Sequence, residues 1–162
     1  MMKKIVATVL VLPFLLMLFS YVANQNSMKY KCLIQMKNYS GEGAYIVISI
    51  INPEGDYEKT VYVQGDDPEW YYEITSWWKF YGKKRNNIDA ISGETLSGGE
   101  RSMNVLSLEK SKFDIGYKLR FESAVESDNY FEKDIEFEIT KSNFENKHTG
   151  KGFIRYIRFV EL

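Results

Sequence analysis

One cysteine, one histidine and three prolines are all that the 162 residues hold of these types. A lone cysteine, Cys32, excludes an internal disulfide framework. The lone histidine, His148, sits in the polar stretch KSNFENKHTGKG with no second His or Cys nearby, so no metal centre is expected. A Ser-His-Asp triad would have to use it, and no nucleophile elbow is visible. An excess of either charge is lacking too. The formal net charge is −1, and beyond Lys3 and Lys4 the chain carries 19 basic against 22 acidic residues. A dedicated nucleic-acid surface needs clustered positive charge, so none is expected. With no catalytic constellation in sight, the expectation is a protein that is not an enzyme.

There is one long apolar run. MMKK precedes IVATVLVLPFLLMLFSYV, Ile5 to Val22, which is uncharged and is followed by the polar ANQNS. A basic start, an apolar middle and a polar boundary are the parts of an export signal. Eighteen apolar residues also reach the lower limit of a membrane-spanning helix. Pro13 and the polar tail favour the signal. Tyr21, two places before the candidate cleavage residue Ala23, is a poor small-x-small match. Residues 1–23 therefore read as a signal peptide or an N-terminal membrane anchor. Residues 28–162 read as one exported domain, in the periplasm or on the outer face of the cytoplasmic membrane.

Aromatic residues make up 15 % of the chain, ample volume for a single core. From Lys29 the pattern alternates. KYKCLIQMK sets Tyr30, Cys32, Ile34 and Met36 against Lys29, Lys31, Gln35 and Lys37. Cys32 thus reads as a small core side chain, not a reactive thiol. AYIVISII is apolar on both faces, as an interior strand would be. NPEGD turns through Pro53 and Gly55, and YEKTVYVQ returns. RSMNVLSL, IGYKLRFESAV, DIEFEIT and FIRYIRFVE bring the count to about seven strands, the profile of an immunoglobulin-like β-sandwich. In IGYKLRFESAV, Ile115, Tyr117, Leu119, Phe121 and Ser123 alternate with Lys118, Arg120 and Glu122.

One aromatic amphipathic helix is expected, in DDPEWYYEITSWWKFYGKKR. Asp67 caps it, Pro68 takes the first position and Gly82 supplies a left-handed end. Trp70, Ile74, Trp77, Trp78 and Tyr81 fall on one face, which would close an open side of the sandwich. Tyr71, Tyr72 and Phe80 fall off that face, so some rings are offered to a partner.

Between that helix and the next strand lies IDAISGETLSGGE, Ile88 to Glu100. Read from the residues, it is a corner. Asp89 and Ser92 brace a turn, Gly93 supplies an unusual φ, and Gly98-Gly99 opens the strand. DAISGETLS also resembles D-x-x-[ST]-G-A-[ST]-x-[ST], the motif at which extracytoplasmic flavoproteins receive FMN covalently. That resemblance implies Thr95 as the phosphoester acceptor, with Asp89, Ser92, Gly93 and Ser97 as motif positions. Glu94 stands where the motif has alanine. At about 5 Å and an effective dielectric near 20, like charge costs roughly 3 kcal/mol per unit before screening, which opposes an incoming phosphoryl group.

The strand order, the paired tryptophans, IDAISGET, SGGERSMNVL and IGYKLRFESAVE together resemble the domain of unknown function 2271 family of predicted periplasmic proteins. The resemblance covers roughly Lys29 to Thr140. That family is similar to the immunoglobulin-like domain of the flagellar hook-capping protein. It implies a sandwich, an envelope location and, from the flavin-reductase and flavin-transferase genes often found beside such proteins, an accessory role in extracytoplasmic flavin-dependent redox chemistry or iron uptake. The leading expectation is a binding or accessory module without a cofactor, working with an envelope protein partner. One alternative is an electron carrier with FMN on Thr95. The other is a glycan-binding module using exposed aromatics.

Overall fold

A computed structural model describes residues 26–84 and 92–162; the expected leader, residues 1–23, and the motif position Asp89 lie outside them. The alternating segments form seven long strands: β1 (Ser27–Met36), β2 (Ala44–Ile51), β3 (Tyr57–Gln64), β5 (Arg101–Glu109), β6 (Lys118–Val125), β7 (Tyr130–Glu138) and β9 (Ile154–Glu161). Two strands of two residues, β4 (Ser92–Gly93) and β8 (His148–Thr149), complete the edges. One sheet runs β5-β1-β9-β8 and the other β4-β3-β2-β6-β7. Every pairing is antiparallel except that of β3 with β4. The two sheets make a β-sandwich. Among the described residues no helix is long and apolar enough to cross a membrane.

The alternation decides what lies between the sheets. Tyr30, Cys32, Ile34 and Met36 of β1 are buried with Ile46, Ile48 and Ile50 of β2 and with Leu119 and Phe121 of β6. Each such side chain contributes roughly 1.5–3 kcal/mol by leaving water. Strand β2 is buried on both faces because a second apolar cluster covers its other side. There Tyr45 and Val47 pack with Val63 and Ala124 beneath Tyr71, Ile74 and Trp77. The molecule therefore has three layers: a sheet, a second sheet and an aromatic cover.

That cover is not the single continuous helix expected. Pro68–Glu73 is a 3-10 helix whose cap, Asp67, accepts the Glu69 backbone N–H at 2.9 Å. The chain breaks at Ile74 and restarts as an α-helix over Thr75–Lys84. A 3-10 turn advances fewer residues per turn than an α-helix, so the register rotates. Tyr71, expected off the face, is buried and donates its hydroxyl to Gly65 O at 2.9 Å, whereas Trp70 is only half-buried. Gly82 stays inside the helix, against the Trp78 indole, and does not end it in a left-handed residue. The glycine that does need positive φ here is Gly65, at +124°, and the Tyr45 ring occupies the space a Cβ would need.

Candidate functional site

The charged side of β6 faces the aromatic cover, not water. Arg120 is 5 % exposed and Glu122 is fully buried. Glu122 Oε1 accepts the Tyr57 hydroxyl at 2.7 Å, and Oε2 accepts the Tyr130 hydroxyl. Tyr130 in turn accepts the backbone N–H of Ser76, at the start of the helix, at 3.3 Å. Arg120 donates from Nε to Glu136 at 2.5 Å and from a terminal nitrogen to Glu132 at 3.2 Å. Its guanidinium lies 5.1 Å from the centre of the Tyr57 ring.

Arg120 pairs across the sheet with Ser49, which pairs with Thr60. The Thr60 hydroxyl accepts the Trp77 indole N–H at 2.9 Å. The Ser49 hydroxyl is buried without a partner among the described residues. A row of polar groups thus crosses the face that the cover protects.

Burial pushes the Glu122 carboxyl up to about 7, against the opposing pull of the Tyr130 and Tyr57 hydroxyls and of Arg120. Burial and then the neighbouring Glu122 carboxylate push both tyrosine hydroxyls upward.

A cleft of about 530 Å³ opens beside this network, between the turn before β3, the helix and strands β6 and β7. Tyr57 and Phe80, stacked with centroids 5.5 Å apart and planes at 19°, form its aromatic wall. Lys79, Lys133 and Arg120 supply its positive charge, and Asp56 and Glu132 its negative charge. Its volume falls in the range of small-molecule sites.

The described part of the glycine-rich connector, from Ser92 onward, lies along β3 and β2. Ser92 and Gly93 pair in parallel with Val63 and Gln64. Ala44 and Leu96 exchange backbone hydrogen bonds of 2.7 and 3.1 Å, and Gln64 donates to the Glu94 carbonyl. Thr95 is half-buried with its hydroxyl against Gly43, where no Cβ would fit. Gly93 does not have the positive φ expected of it. It is small because a Cβ would come within 2.6 Å of the Tyr62 hydroxyl, and Gly99, at +80°, takes the left-handed position. Ser97 is exposed, and its N–H donates to Glu100 at 2.8 Å.

Two further groups settle into structural roles. His148 stacks on Phe137 at 4.0 Å with planes 8° apart, and its Nε2 lies 2.7 Å from the Asn143 carbonyl. Asp134, 1 % exposed, accepts Ser123 Oγ at 2.5 Å, the Gly152 N–H at 2.7 Å and the Ile154 N–H at 2.9 Å, joining β7 to the start of β9 across the sandwich. A Cβ on Gly150 or Gly152 would run into that carboxylate. The spacing Gly-Lys-Gly was the trace of this arrangement in the sequence. No group of three or more His, Cys, Asp or Glu among the described residues could hold a metal ion.

The family model of predicted periplasmic proteins matches residues 27–156, from the first residue of β1 into β9, and so spans both sheets and the cleft. The chain belongs to DUF2271. No curated protein and no solved structure matches it. Family membership places this DUF2271 domain among predicted periplasmic proteins, in agreement with export. The cleft, the buried Glu122 network and the connector all lie within the DUF2271 match.

Proposed function

We propose that the protein is an exported, non-catalytic binding module of the bacterial envelope, and that it takes its ligand in the cleft beside Arg120. The observation that carries this reading is the polar row under the aromatic cover. The cover rests on apolar Tyr45, Val47, Val63 and Ala124, yet it also buries Arg120, Glu122 and Ser49, and hydrogen bonds offset the desolvation of the first two only. Polar groups retained behind a half-open aromatic cleft are the arrangement of a small-molecule site.

The lining selects the ligand class. Tyr57 and Phe80 offer a flat apolar wall, and Lys79 and Lys133, the latter 3.9 Å from Glu136, place cations at a rim that also carries Asp56 and Glu132. The matching ligand has a flat ring system and an anionic group, the chemistry an accessory to a flavin-dependent system would meet. A binding role fits the connector as well: Thr95, held against Gly43 and flanked by the Ala44–Leu96 bridge, braces a corner.

Fluorescence titration of the exported protein with FMN, and with riboflavin as the counterpart lacking phosphate, tests the reading. The expected result is saturable binding of FMN, weaker binding of riboflavin, and loss of the FMN preference in Lys79→Ser/Lys133→Ser, both of whose lysines are exposed. Absence of binding by either probe contradicts the proposed ligand class. Intact mass of the same sample reports any flavin held covalently, which would move the site to Thr95.

A further inference from the structure

On the opposite side of the sandwich, the outer face of the β5-β1-β9 sheet is exposed, apolar and cationic. Cross-strand partners in an antiparallel pair share a face. Leu33 pairs with Met103 and with Arg158, Lys31 with Val105 and with Val160, Lys29 with Ser107, and Arg101 with Gln35, which is itself buried and accepts from the Arg101 guanidinium. Met103, Val105 and Val160 are more than half exposed. Lys29, Lys31, Arg101 and Arg158 are exposed around them, and these registers contain no carboxylate. A shallow groove of about 430 Å³ runs between Met103, Val160 and Lys147, with Glu145 at its border. Glu109, at the far end of β5, is turned to Lys59 at 3.8 Å. The face thus sets the exposed cations Lys29, Lys31, Arg101 and Arg158 against Glu109 at one end and Glu145 at the groove's border.

We propose that this face lies on an anionic lipid surface, with Met103, Val105 and Val160 entering the headgroup region and the lysines and arginines meeting phosphates. Exposed apolar side chains ringed by cations on flexible stems are the pattern of interfacial membrane binding. Charge selects this occupant over a second copy of the chain, because a two-fold contact through the same face would set Lys31 and Arg158 against like charges. The chain path agrees. Strand β1, which carries Lys29, Lys31 and Leu33, begins at Ser27, shortly after the apolar run that ends at Val22. Where the leader is retained as an anchor, an extended chain between Val22 and Lys29 reaches at most about 25 Å and holds β1 within that distance of the membrane.

The exported protein, whether or not its leader is retained, can be labelled at Val160→Cys with an environment-sensitive fluorophore; buried Cys32 stays unlabelled. Tyr72→Cys, on the aromatic cover, is the control. Vesicles containing phosphatidylglycerol should raise the emission at position 160 severalfold and leave position 72 unchanged. The effect should fall with salt and vanish with Lys31→Glu/Arg158→Glu. Vesicles of phosphatidylcholine alone should have no effect at either position. Equal responses at 160 and 72, equal responses to the two lipids, or no response at 160 would overturn the proposal, the last leaving the face to an acidic protein.

Discussion

Replacing Glu122 with glutamine keeps the side chain's volume and hydrogen-bonding reach while deleting its titration. The wild-type carboxyl is held near 7 in the fold, against 4.5 for the free side chain, chiefly because burial disfavours its charged form. Below about pH 4.5 it is protonated folded or unfolded and does not affect stability. Between 4.5 and 7 the unfolded chain gives up the proton and the folded chain keeps it, so the fold loses stability as pH rises. Above 7 both states are ionised and the loss is complete. Two and a half units at about 1.4 kcal/mol each make that loss roughly 3 kcal/mol. Urea denaturation of wild type and Glu122→Gln across pH 5–8 measures it, and the difference between the two proteins cancels the other titrating groups. The two should be within about 1 kcal/mol near pH 5. The variant should then gain on the wild type until it leads by roughly 3 kcal/mol at pH 8. A difference that stays flat would show that Tyr57, Tyr130 and Arg120 stabilise the anion as much as burial opposes it, and one that moves toward the wild type with rising pH that they do so more.

Other perturbations probe the rest of the frame. Asp134→Ala leaves the Gly152 and Ile154 N–H groups and the Ser123 hydroxyl without their acceptor, which should cost roughly 3–5 kcal/mol in denaturant unfolding; a loss under 1 kcal/mol would remove its bracing role. Trp77→Phe gives up the bond to Thr60 and part of a fully buried side chain, for about 2 kcal/mol. Its tryptophan emission should shift to the red, since Trp70 and Trp78 are only half-buried. Burial pushes the Cys32 thiol well above its ordinary range. It should therefore resist a disulfide reagent in the native state and react in urea; rapid native reaction would place it outside the core.

Where one face of a strand meets the core and its period is two, the sequence was readable: β1 buries Tyr30, Cys32, Ile34 and Met36 as the alternation requires, although Gln35, read on the polar face, is buried on the Gly99 and Glu100 carbonyls. The seven long strands follow from the same signal. Alternation separates two faces, however, without saying whether a third layer covers the second one. That is why Arg120 and Glu122 read as the polar side of β6 and are in fact buried. The clue was AYIVISII, apolar on both faces, which needs a cover over each. The cover was legible in its cap, Asp67-Pro68, and in its aromatic content. The break at Ile74 was not, because 3-10 and α turns share the same residue preferences and only tertiary contact chooses between them. Asp134 escaped notice for a different reason: its partners lie 18 to 20 residues downstream, in a loop whose glycines looked like ordinary turn residues.

Ligand uptake at the Arg120 cleft is tested most directly by backbone-amide NMR of the isotopically labelled exported protein titrated with FMN. Saturable shifts gathered at residues 55–57, 76–80, 120 and 132–133, with the outer face of the β5-β1-β9 sheet unmoved, are the predicted result. Shifts confined to that outer face, or none at saturating FMN, would contradict it.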